Sequence, residues 1–139
     1  MNAPGGRDVT RFPLSFDRWY GALSIVLGLL SMDHRVTDEI RLEPTPGHTP
    51  GHVSVRLASR GADAVITGDL MHHPVQVAEP EWHTSFDTDP VEARETRRAF
   101  CGRYADRSVT VLGTRFHHPT AGRIVSHGDA WRFAVAETP

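Results

Sequence analysis

A chain of 139 residues with 39% hydrophobic and 23% charged side chains has the size and composition of one globular domain, which excludes wholesale disorder and two independent cores. Fifteen basic side chains against seventeen acidic ones give a formal net charge of −2, without the positive excess a nucleic-acid reader of this size carries. The single cysteine, Cys101, excludes an internal disulfide and a cysteine-rich zinc module, so the nine histidines set this composition apart.

Residues 1–15 carry Pro4, Gly5, Gly6 and Pro13 without periodicity and read as a frayed terminus. The longest apolar stretch, Trp19 to Met32, has 14 residues, short of the roughly 20 that cross a bilayer as a helix. Arg7, Arg11 and Arg18 precede it as in a signal peptide, but Asp33-His34-Arg35 follow it in place of a small-residue cleavage site. The stretch therefore reads as a helix packed on a core or a partner. Residues 1–31 stay unassigned, and the protein is expected to be cytoplasmic, with neither membrane nor nucleic acid as a partner.

From Glu39 the pattern turns strand-like: Ile40 and Leu42 alternate with Arg41 and Glu43 until Pro44 and Pro46 stop the run. His52 to Ala58 alternates again, with Val53, Val55 and Leu57 on one face and Ser54 and Arg56 on the other. Ser59 to Asp63 is a turn-sized link to a buried central strand, Ala64-Val65-Ile66-Thr67. Gly68 to Asp89 reads as one long loop of functional type. A helix follows, with Asp89 as N-cap, Pro90 at its first position and Glu92 completing a capping box. Ala93, Thr96, Phe100 and Tyr104 share one of its faces. Ser108 to Leu112 is a further strand ended by Gly113, and Gly122–Ser126 with Trp131–Val135 form a closing hairpin around Gly128-Asp129. These elements make one α/β or α+β layer pair.

The chemistry gathers where strands end. His48 and His52 fall within Thr45-Pro46-Gly47-His48-Thr49-Pro50-Gly51-His52, where glycines permit tight turns and prolines stiffen them. Asp69 follows the buried strand in Thr67-Gly68-Asp69, and His72 and His73 stand in the adjoining loop. The later strand leads into Gly113-Thr114-Arg115-Phe116-His117-His118. Imidazole and carboxylate on one rim form a ligand set for zinc, manganese or iron. His34, His83 and His127 read as surface residues.

The phrase TPGHTPGHVSV, followed 21 residues after His48 by the aspartate of TGD, and the later GT segment with PTAG resemble the metallo-β-lactamase superfamily. The likeness is to its second half, in the branch with acyl-homoserine lactonases and methyl parathion hydrolase, over roughly Asp33 to Phe133. It implies half of an αβ/βα sandwich: one mixed sheet of about five to six strands with helices on one face, over residues 33–135. It also implies that His48 is a metal ligand, that Asp69 bridges metals and is catalytic, and that His52 is not a ligand. Read on their own, His72 and His73 are residues of a substrate loop or of the surroundings of the ligands rather than ligands themselves.

Two departures stand beside the match. The family's HxHxDH motif is missing from these residues, and the last ligand position, directly after Gly113-Thr114, holds Arg115. His117 and His118 are the candidates for a shifted ligand. A guanidinium has no lone pair for a metal, so Arg115 beside Asp69 would neutralise that carboxylate in place of an ion. Two readings follow. One is a metal-dependent hydrolase of lactones, esters or organophosphates, truncated and weakly active or inactive as this chain alone. The other is a non-catalytic remnant or assembly subunit with no metal bound. Either way, Val53, Val55, Leu57, Val65 and Ile66 are expected to form an apolar sheet face that drives self-association or recruits a partner chain.

Overall fold

The fold is built on the period-two alternation of its strands, and the computed structural model describes it over residues 32–135. The apolar helix expected over Trp19–Met32 lies, apart from Met32, outside the described residues. Strand β1 (Ile40–Pro44) pairs antiparallel with β2 (Val53–Ser59), and β2 with β3 (Ala62–Ile66). The β2–β3 turn is shorter than the sequence suggested: Arg60 and Gly61 alone make it, at φ 51° and 80°, the left-handed pair a two-residue hairpin requires.

After β3 the segment read as one loop contains a single 3-10 turn, Gly68–Leu70, and a short helix α1 (Val75–Ala78). Leu70, Met71 and Val77 drop into the core there, which is why the segment is ordered. Helix α2 (Pro90–Tyr104) then carries the chain across the sheet, so β4 (Val109–Leu112) pairs parallel with β3. Strands β5 (Ala121–His127) and β6 (Ala130–Val135) close a six-stranded mixed sheet in the order β1-β2-β3-β4-β5-β6. Asp89 caps α2 as expected, its Oδ1 accepting from the Val91 and Glu92 N–H groups at 3.0 Å each. The reciprocal half of a capping box is replaced by a tertiary bond, because the Asp89 N–H donates to the Gly47 carbonyl at 2.9 Å.

Register sorts the sheet's side chains. Leu42 opposes Val55, Val55 opposes Ile66 and Ile66 opposes Leu112, so these share a face with Val53 and Leu57. Val65 was expected on that face and is not. Its neighbour Ile66 takes it, and Val65 points the other way, as successive strand residues must. Val65, Val111 and Ile124 are fully or almost fully buried under Phe100, Cys101 and Tyr104 of α2, and this layer is the core. The opposite face is half-buried rather than bare. No helix among the described residues is long and apolar enough to cross a membrane.

Candidate metal centre

Three loops meet on the rim where β3 and β4 end. The β1–β2 loop carries His48 and is closed at its base by the Thr45 N–H donating to the His52 carbonyl at 3.0 Å. Gly47, at φ 123°, lets this loop lie on α2; a Cβ there would stand 2.3 Å from the Ala93 Cα. The Thr88 N–H donates to the His48 carbonyl at 3.1 Å, so the start of α2 fixes the backbone of His48.

His52 holds the second loop. Its Nδ1 lies 3.0 Å from the Thr45 carbonyl, and its Nε2 accepts the Asp69 backbone N–H at 2.9 Å. These partners define a neutral ring with its proton on Nδ1. Burial holds the His52 pKa below its ordinary value, which agrees with that assignment. Gly68, at φ 60°, makes the approach possible, since a Cβ would sit 2.7 Å from His52 Nε2. Both ring nitrogens of His52 thus face protein partners.

The His48 Nε2 atom lies 3.6 Å from Asp69 Oδ2, and the His48 and His72 ring centroids are 5.1 Å apart. Behind His48, Nδ1 stands 3.2 Å from Asp87 Oδ1. Asp87 Oδ2 in turn accepts from Arg97 Nη1 at 3.2 Å, and Arg97 Nε donates to the Pro80 carbonyl at 3.1 Å. Burial pushes the Asp87 carboxyl up, but the His48 hydrogen bond and the Arg97 charge outweigh it and hold the pKa down. An Nδ1–H given to a carboxylate leaves the Nε2 lone pair facing Asp69, the arrangement typical of a ligating imidazole.

Arg115 occupies the other side of Asp69. Its Nε donates to Oδ1 at 2.6 Å and its Nη2 to Oδ2 at 3.2 Å. This fork, more than any other contact, holds the Asp69 carboxyl below its ordinary range. The contact between Arg115 and Asp69 expected from the sequence is therefore present. His72, placed by its backbone N–H donating to Gln76 Oε1 at 2.7 Å, leaves its Nδ1 buried without a hydrogen-bond partner.

The donor set fits a divalent cation. Potential ligand atoms of His48, Asp69 and His72 all lie within 4.8 Å of one another, the one such group among the described residues. Two ligands of a tetrahedral zinc stand roughly 3.4 Å apart. The 3.6 Å between His48 Nε2 and Asp69 Oδ2 matches that span.

The remaining sequence candidates stand elsewhere. His73 is exposed, its Nδ1 accepting the Val75 N–H at 3.0 Å at the start of α1. His117 and His118 are exposed and lie outside the donor group. His34, His83 and His127 are exposed, as read. Asp87 and Arg97 were not foreseen. The available signal was Arg97 at core spacing on α2, four residues after Ala93 and four before Cys101.

A family model described as the metallo-beta-lactamase superfamily matches residues 29–103. Among solved structures, AbOPH, a hydrolase in the beta lactamase superfamily, superposes with a TM-score of 0.70 at 28% identity, covering 77% of this chain and 38% of its own. AidC, a dizinc quorum-quenching lactonase, superposes with a TM-score of 0.71 at 21% identity, covering 78% and 37%. A probable metal-dependent hydrolase from Staphylococcus aureus follows with a TM-score of 0.58 at 20% identity, covering 76% and 38%. The likeness to the last two is one of fold. The chain spans under two fifths of the length of each. No match is found among curated proteins.

Proposed function

The chain belongs to the metallo-beta-lactamase superfamily, and on that premise we propose that it carries the His48–Asp69 portion of a metal-dependent hydrolase centre for small lactones, esters or organophosphates. The carrying observation is the 3.6 Å approach of His48 Nε2 to Asp69 Oδ2, with the far side of the imidazole engaged by Asp87. A zinc, manganese or iron ion bound there would polarise a carbonyl or phosphoryl oxygen and acidify water. The chain's own residues do the positioning. Asp87 fixes the His48 tautomer, His52 holds the Asp69 backbone, and Asp69, the catalytic carboxylate, supplies charge and a proton acceptor.

One observation favours a second reading, in which these residues alone act without turnover as an assembly subunit or remnant. Arg115 forks onto the Asp69 carboxylate. The half-buried apolar face of β1 to β3 is where self-association or a partner chain would then attach, and sedimentation of the purified chain tests that attachment. For turnover, the assay is hydrolysis of aryl ester, lactone and organophosphate substrates with added zinc or manganese, with and without chelator, beside His48→Ala. Chelator-sensitive turnover lost in the variant supports the hydrolase reading; background rates throughout support the second.

A further inference from the structure

We propose that His72 completes, with His48 and Asp69, a three-donor site for a single divalent cation contained within this chain, with Arg115 taking the charge-balancing place of any second ion. The inference rests on reading His48 and Asp69 as ligands, and it moves His72 from the substrate loop into the ligand shell.

Donor count comes first. A catalytic zinc takes three protein ligands and keeps a position open. His48 and Asp69 alone make two and would hold zinc loosely; the geometry adds a third within 4.8 Å. His72 is also the ring with something to explain. Its Nδ1 is buried without a partner among the described residues, whereas buried polar atoms almost always have one. His52, of the same phrase as His48, spends both ring nitrogens on protein partners and has no lone pair to give.

Orientation comes next. His48 cannot freely rotate away, because Asp87 and the buried Arg97 hold its Nδ1 side. The Gln76 side chain fixes the backbone of His72 and of His73, accepting from both N–H groups at 2.7 Å and 3.3 Å. The ligand shell is therefore assembled before an ion arrives, which reduces the ordering that binding must impose.

Charge then limits the site to one ion. Arg115 makes its short contact, 2.6 Å, to Asp69 Oδ1, while the longer 3.2 Å contact falls on Oδ2, the oxygen facing His48. A cation bound from the His48 side would use Oδ2, leaving Oδ1 to the guanidinium. A second dication on Oδ1 would meet Arg115 directly and be repelled.

The test is titration of the purified full chain with zinc and with cobalt, followed calorimetrically and by the visible absorption of cobalt. Wild type is expected to bind one equivalent. His72→Ala should weaken binding at least tenfold and reduce the cobalt band, while His83→Ala, on the exposed surface, should match wild type. Apo melting curves show whether His72→Ala folds. If it does not, the imidazole nitrogen resonances of His72 in wild type must shift on adding zinc. Two equivalents, no binding, wild-type affinity in folded His72→Ala, or unshifted His72 resonances would each overturn the proposal. Metal uptake is read here without turnover, so absence of hydrolysis leaves this proposal standing and sinks only the hydrolase reading.

Discussion

Arg97 Nη1 and Asp87 Oδ2 stand 3.2 Å apart with both side chains closed to solvent. Burying two charges is expensive and tolerable only when they are paired and further hydrogen-bonded. Here the pair spans the loop before α2 and the helix itself, and Asp87 uses its second oxygen on His48. The ion pair in the core thus sets the direction of an imidazole on the rim.

Asp87→Ala should therefore act on stability and on the site together. It strands Arg97 as an unpaired buried charge, and removing one member of such a pair destabilises by about 3–5 kcal/mol. Asp87→Asn, which keeps an acceptor for His48, should lose less. Denaturant unfolding separates the two variants, and equal losses would contradict this account.

Gly47→Ala should unseat the β1–β2 loop. The added methyl would meet Ala93 backbone at 2.3 Å, and the position requires φ 123°. Backbone cannot yield as a side-chain tip can, so the loop must lift from α2 and carry His48 with it. A destabilisation above about 1 kcal/mol is expected, together with weaker zinc binding in titration. Gly51→Ala, with open space around its Cβ, is the matched control.

Cys101 should be silent to thiol reagents. Burial pushes its pKa up to about 12, so at pH 8 the native chain holds the unreactive thiol rather than the thiolate. Labelling by iodoacetamide should stay slow between pH 7 and pH 9 in native buffer and reach completion in denaturant, where the ordinary thiol pKa of about 8.5 returns. Mass spectrometry follows it, and rapid native labelling would mean that α2 is not seated as described.

Arg115→Ala should tighten zinc binding. The guanidinium competes for Asp69 and repels a dication, and the side chain is largely exposed, so little packing is lost. At least a tenfold gain in affinity is expected from calorimetry. Unchanged affinity would show that Arg115 does not oppose the ion.

Much of the fold was legible because strands announce themselves by alternation. Val53, Val55, Leu57 and Ile66 fell on the face expected of them, and Gly128-Asp129 made the expected turn. The misplacement of Val65 shows the weakness of an all-apolar run, since Ala64-Val65-Ile66 contains no polar residue to say which side faces α2. His48 and Asp69 were legible through a local phrase with fixed spacing. The Asp87–Arg97 pair was not, because a charged residue on a helix reads as solvated until its partner is placed beside it. His72 reads ambiguously in sequence for a related reason: only the meeting of two loops brings it within reach of His48.

The pairing of β3 with β4 is the one parallel junction in the described sheet, and it divides six strands into two antiparallel triplets. Beyond its end the triplets are stitched by the Gly68 N–H on Thr114 Oγ1, the Thr114 N–H on Thr67 Oγ1, and the Arg115 fork on Asp69. The guanidinium that crowds an ion is therefore also part of a seam. Any residue that frees Asp69 for metal gives up that stitch, and a histidine in its place recovers the join only through a shared ion. In such a variant the metal would serve as a rivet beyond the β3–β4 ladder, and chelation would loosen that end of the seam as well as empty the site.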